Sequence, residues 1–142
     1  MRILGLDVGT VRIGLAVYDP EVVVCSPRSA LNRTEELADI EAVHQVAKKE
    51  GANRLVVGLP LNMNGSKGPA ARTVLRFCNS LRRITGLPVD TWDERLSTVE
   101  ASARLREAGH VPSRDKARLD SAAAAVILEA YLISRGRPDI SK

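Results

Sequence analysis

Ile3-Leu4-Gly5-Leu6-Asp7-Val8-Gly9-Thr10-Val11-Arg12-Ile13-Gly14-Leu15-Ala16-Val17-Tyr18 is the stretch on which the fold turns. Residues 2–8 and 12–18 are apolar-rich, and Gly9-Thr10-Val11 between them gives the pattern of an antiparallel hairpin. A single carboxylate, Asp7, interrupts the first run. An acid at the end of a buried strand carries a desolvation cost unless something cationic neutralises it. Asp7 has three readings. It can open a tight turn with its side chain on the Gly9 or Thr10 amide, belong to a phosphate-binding hairpin of the kind found in actin-like ATPases, or ligate a metal.

Outward from the hairpin, Val22-Val23-Val24-Cys25 offers a third strand reached through Asp19-Pro20. Helical spacing follows at Leu37, Ile40, Val43 and Ala47, with Asn32 or Thr34 as the cap and Gly51 as the stop. Leu55-Val56-Val57 is a short strand. A second helix spans Pro69 to Thr85 and ends at Gly86; its inward residues are Ala71, Val74, Leu75, Cys78 and Leu81. Val89 to Trp92 is the fifth strand. Ser97 with Glu100 reads as a capping box stapled by Leu96 on Ala101, opening a helix that stops at Gly109. The last helix runs from Lys116 to Ser134.

The order β-β-β-α-β-α-β-α-α predicts an α/β domain over residues 1–135: a five-stranded mixed sheet, three antiparallel strands then two parallel, covered by about four helices. Residues 136–142 read as a short flexible tail. Right-handed crossovers make the fourth and fifth strands parallel to the first. Ligands of such sheets bind beyond the carboxyl ends of the parallel strands, where Asp7, the Gly58–Gly68 loop and the acids Asp93 and Glu94 would converge. Strand alternation leaves Asp93 and Glu94 equivalent. Asp120 shares a helix face with Ala123, Ala124, Ile127 and Tyr131, and the small residues there would let the helix approach closely and bring the carboxylate to the strand ends.

The 142-residue chain has 44% hydrophobic and 27% charged residues, an ordinary globular balance, with net charge +4. Sixteen of its 21 basic residues are arginine, a side chain suited to bidentate phosphate contact. Aromatics at 3% are too few to read single strands by stacking on rings, so backbone and shape should dominate nucleic-acid recognition. The second helix bears Arg72, Arg76, Arg82 and Arg83 without one acid, and Arg114, Lys116 and Arg118 form another patch beside Asp120. Ser66 and Lys67 precede a helix start and make an anion site, without the Gly-Lys-Ser/Thr of a nucleotide P-loop. A nucleotide-binding ATPase would need a second lobe for which 142 residues leave no room. No leader, membrane span or zinc spacing is visible, so a reduced cytoplasmic protein with Cys25 and Cys78 as packed thiols is expected.

Four blocks, Gly5-Leu6-Asp7-Val8-Gly9-Thr10, Val57-Gly58-Leu59-Pro60-Leu61-Asn62-Met63, Asp93-Glu94-Arg95-Leu96-Ser97-Thr98 and Asp120-Ser121-Ala122-Ala123, resemble the bacterial YqgF/RuvX family in its order, over residues 2–134. The resemblance implies an RNase H-like fold and a nuclease centre on Asp7, Glu94 and Asp120, and it selects Glu94 over Asp93. It further implies maturation of the 5′ end of pre-16S rRNA, with Holliday junction resolution as the alternative. A non-catalytic RNA-binding or transcription factor is a further class. The mechanism expected is two-metal hydrolysis, with two Mg²⁺ or Mn²⁺ ions roughly 4 Å apart on the three acids. Arg12, Asn62, Lys67, Arg72, Arg76, Arg95, Arg114, Lys116 and Arg118 are the candidate nucleic-acid contacts. A monomer suffices for trimming RNA, and a homodimer would present two centres to a junction. Asn64 stands where many members of the family carry Asp.

Overall fold

A computed structural model of the chain describes residues 1–136. Its elements are β1 (Arg2–Val8), β2 (Arg12–Asp19), β3 (Val24–Asn32), α1 (Glu36–Glu50), β4 (Ala52–Leu59), α2 (Pro69–Thr85), β5 (Val89–Asp93), α3 (Ser97–Glu107) and α4 (Lys116–Ser134). They form one sheet of order β3-β2-β1-β4-β5. β1 pairs antiparallel with β2, and β2 with β3, while β1, β4 and β5 run parallel. The expected mixed sheet and all four expected helices are present. Of the tail expected at 136–142, residues 137–142 lie outside the described residues.

Alternation along the strands sorts the core into two layers. Leu4, Leu6, Ile13, Leu15, Val17, Leu55 and Val57 point to one face, where α1 brings Ile40, Val43 and Ala47 and α2 brings Ala71, Val74, Phe77, Cys78 and Leu81. Ile3, Ala16, Tyr18, Cys25 and Val56 point to the other, against Ala124, Ala125, Ile127, Leu128 and Tyr131 of α4. α3 packs on α4 through Ala101, Leu105, Ala122 and Ala123. Cys25 and Cys78 are both free and buried, one on each face. Burial pushes the Cys25 thiol up to about 12 and the Cys78 thiol up to about 11.

Six local expectations are corrected. The third strand is Val24–Asn32 rather than Val22–Cys25. Val22 and Val23 belong to the preceding turn, both amides donating to the Asp19 carbonyl, and Val23 has φ +60°. β3 runs on through Pro27, which an edge strand tolerates because its outer side has no ladder to break. β4 likewise extends beyond Leu55–Val57, to Ala52–Leu59.

Helix α1 is capped by neither Asn32 nor Thr34; Glu35 stands at the cap without a side-chain bond. Asp39, buried in the first turn, reaches back instead to accept from the Thr34 amide and hydroxyl and from Arg33. Its carboxyl is held below the usual range, burial being outweighed by the Thr34 and Arg33 donors. Leu37, expected inward, is 68% exposed. The capping box at α3 does not form: the Ser97 hydroxyl and amide both turn back to the Glu94 carbonyl, and Glu100 pairs with Arg104. Leu96 is exposed, with φ +69°, and makes no staple.

Candidate active site

Register places the acids. Asp7 lies opposite Gly14 in the β1–β2 pair, and the α4 face takes Ile3, Gly5 and Asp7 from β1. On β5 the same face takes Asp90 and Trp92, so the next residue of that parity, Glu94, points where Asp7 points. Asp93 faces away and pairs with Arg95 at 2.7 Å. The alternation that left Asp93 and Glu94 equivalent does separate them once the position of α4 is known.

Glycines let this corner close. A Cβ on Gly14 would sit 2.0 Å from the Asp120 carbonyl oxygen and 2.2 Å from its carbon, so the start of α4 rests directly on the β2 backbone. A Cβ on Gly58 would meet Ile127 at 2.6 Å and Glu94 Oε1 at 2.9 Å. Opposite Gly14, the β2–β3 ladder slips: Ile13 pairs with Leu31 but Leu15 with Arg28, leaving Ser29 and Ala30 of β3 against one residue. The Leu15 amide is then available, and it donates to Ser121 Oγ at 3.2 Å. α4 is thereby pinned to the sheet beside Asp120.

Asp7 and Glu94 meet side chain to side chain in hydrogen-bond contact, Glu94 donating a proton that Asp7 accepts. Burial, then the Asp120 charge, pushes Asp7 up to about 6. Burial, then the Asp7 charge, pushes Glu94 up to about 8. Asp120 is close enough for its charge to reach Asp7, but its Oδ2 accepts from Arg12 Nε at 2.9 Å. The expected three-acid gathering is therefore two acids in contact sharing a proton, and a third held by an arginine. Among the described residues no three His, Cys, Asp or Glu side chains stand ready to hold a metal as they are.

The chemistry of the donors nevertheless suits a hard divalent cation: three carboxylates, no sulfur, no imidazole. In this half-buried carboxyl pair the charge of Asp7 raises Glu94, so the two resist ionising together.

The candidate nucleic-acid contacts divide. Lys67, Arg72, Arg114 and Lys116 are exposed and make no ion pair among the described residues, and Arg76 touches only Thr73. Arg12, Asn62, Arg95 and Arg118 are engaged within the protein. Arg95 pairs with Asp93 and donates to the Met63 carbonyl at 3.0 Å, which braces the loop after β4. Asn62 and Asn64 both bond Ser66, so Asn64 shapes that turn as an uncharged acceptor. Arg118 donates to His110 at 2.9 Å. On α2, Arg82 leaves the expected arginine stripe to donate to the Val89 carbonyl at 2.7 Å. Arg12's link to Asp120 and Asp39's buried cap were missed by sequence reading; no local spacing signals either.

A mixed sheet with acids at the ends of its central and outer parallel strands and on the crossing helix is the RNase H-like architecture. "T. thermophilus RuvC in complex with Holliday junction substrate" superposes with TM-score 0.58 at 16% identity, covering 96% of each chain. The fowlpox virus resolvase in complex with Holliday junction DNA does so at 0.58 and 10%, covering 95% of this chain and 99% of that one. A family model described as "RuvX: Holliday junction resolvase" matches residues 1–134, and the chain belongs to that family. The "Putative pre-16S rRNA nuclease" of Anaeromyxobacter sp. (strain Fw109-5) is 44% identical over 135 residues, 95% of this chain and 98% of that protein. The protein of the same name from Clostridium kluyveri (strain ATCC 8527) is 41% identical over 132 residues, 93% and 96% of the two chains.

Proposed function

We propose that this protein is a metal-dependent nuclease that hydrolyses phosphodiester bonds of structured nucleic acid, acting in the cytoplasm on the 5′ end of pre-16S rRNA. The observation that carries the reading is the half-buried contact between Asp7 and Glu94 beyond the ends of β1 and β5, with Asp120 alongside. Family membership and the names of relatives with over 40% identity support the nuclease class and the RNA substrate.

Asp7, Glu94 and Asp120 would hold Mg²⁺ or Mn²⁺. When bound, such ions polarise the phosphodiester and lower the pKa of attacking water. For both Asp7 and Glu94 to serve as ligands, the proton between them would have to leave. Arg12 fixes Asp120 through Nε alone; its terminal guanidinium nitrogens make no hydrogen bond among the described residues and can meet a phosphate oxygen. Lys67, Arg72 and Arg76 would hold the phosphate backbone in place, with Arg114 and Lys116 at the other end of the site.

Asp7→Asn should lower metal-dependent cleavage of a pre-16S rRNA 5′ fragment by about a hundredfold or more while RNA affinity stays near wild type. Undiminished turnover in that variant refutes the assignment. The family's description as a Holliday junction resolvase favours a second reading, a resolvase acting as a homodimer on four-way DNA. Cleavage of a four-way junction in preference to the RNA fragment would select it.

A further inference from the structure

A cavity of about 670 Å³ has no part in the acid cluster, yet it borders it. The slipped pairing of β3 opens it: Ser29 and Ala30 form one wall, with the end of α3 and the first turns of α4 opposite. Two links tie it to the catalytic corner. Ser121, in its lining, follows Asp120 in the chain, and Asn32, also in its lining, is the cross-strand partner of Arg12. Its volume is that of a small-molecule site.

The lining is apolar below and cationic above. Leu105, Ala108 and Ala122 make an aliphatic floor, and no carboxylate is among the lining residues. Arg28 is neutralised by Glu50, but Arg118 has no acidic partner among the described residues. Its NH1 lies 2.9 Å from His110 Nε2, and His110 Nδ1 lies 3.6 Å from Asp115. An imidazole, rather than a carboxylate, thus holds the guanidinium at the cavity. The outer edge of β3 adds unpaired backbone polar groups along one side.

We infer that this cavity is a nucleotide subsite, which takes an unpaired nucleotide of the substrate strand next to the scissile phosphate. The base lies on the aliphatic floor, its edge meets the polar groups of β3, and Arg118 holds the adjoining phosphate. This rests on the nuclease reading for its ligand and extends it: the enzyme selects strands that offer a free nucleotide beside a duplex. A peptide strand added to β3 would use the same edge, but it would leave the cationic rim unanswered.

The test is fluorescence anisotropy in EDTA, where no cleavage occurs. The probes are a fluorescein-labelled RNA hairpin, blunt or carrying a six-nucleotide 5′ single-stranded extension, and their DNA counterparts. Wild type should bind the extended hairpin about tenfold tighter than the blunt one. Ala117→Leu, which fills the cavity from an exposed helix position, should abolish that gain with blunt-hairpin affinity and melting temperature unchanged. Arg118→Ala should reduce the gain. An equal gain from the DNA extension shows that the 2′-hydroxyl is not read. No gain in wild type, or a gain that survives both variants, overturns the subsite. Failure of metal-dependent cleavage would refute the nuclease reading and leave this binding result standing, so the two outcomes are separable.

Discussion

The two faces of the sheet are packed on opposite plans. Under α1 and α2 the strands present Leu4, Leu6, Leu15, Leu55 and Val57, and large side chains hold the helices away from the backbone. Under α4, toward the carboxyl ends, they present Gly5, Gly14, Ala16 and Gly58, and the helix answers with Ala124 and Ala125, so the Asp120 backbone touches β2. The first face is a filled core whose volume can be traded among aliphatics. At the corner of the second where Gly14 meets Asp120 there is no volume to trade, since backbone meets backbone. Asp7, Glu94 and Asp120, the carboxylates proposed as catalytic, all belong to the second face. Close approach, more than burial, brings a helix-borne acid to the ends of strands.

The contrast breaks most severely at Gly14→Ala. The new methyl would collide with the Asp120 carbonyl, so α4 must lift; the expected cost is about 3 kcal/mol or more. Cleavage should fall beyond what the melting temperature explains, and calorimetry should show weakened Mn²⁺ binding. Leu81→Ala is the control on the other face. It should cost about 2–5 kcal/mol of stability, yet turnover per folded molecule should stay at wild-type level. Equal catalytic damage from the two would abolish the distinction.

A gentler probe is pH. The folded state keeps protons on Asp7 up to about 6 and on Glu94 up to about 8, whereas the unfolded chain releases them near the ordinary values of about 4. Both acids therefore favour folding least where they are ionised. Metal-free stability should decline as pH rises from about 4 to about 8, then level off. Because a cation must displace the shared proton, the increase in melting temperature given by Mn²⁺ should grow from pH 5 to pH 8. A constant increment would mean the pair does not take the metal. Smallest of all, Arg72→Ala on the filled side should weaken RNA binding without touching cleavage chemistry, and reduce the salt slope of log K by about 1.

Much of this could be read from residue order. The hairpin, the two crossover strands and the full bounds of α2 and α4 follow from alternation, helical spacing and Gly86 as a stop. The errors arise where a local pattern admits more than one set of partners, or where the partner is distant in sequence. Leu96 looked like a staple and Ser97 like a cap because the local pattern allows both; the turn that aims Glu94 uses them differently. Pro27 hid the length of β3, because a proline argues against a strand unless the strand is known to be at an edge. Asp120 was found by its alanine neighbours. Its bond to Arg12, 108 residues away, was not, since nothing local marks one arginine of sixteen as an internal counter-ion. Gly14 and Gly58 were visible as letters, while their necessity appears only when α4 is laid across them.

The placement of the two cysteines gives each face its own clock. Cys25 lies beneath α4 and Cys78 beneath α2, with the sheet between them, so they cannot join within one molecule. With both thiols far above neutrality, alkylation proceeds only when the overlying helix lifts and the sulfur meets water. Two labelling rates in a single tube therefore time the breathing of the working side and of the supporting side independently.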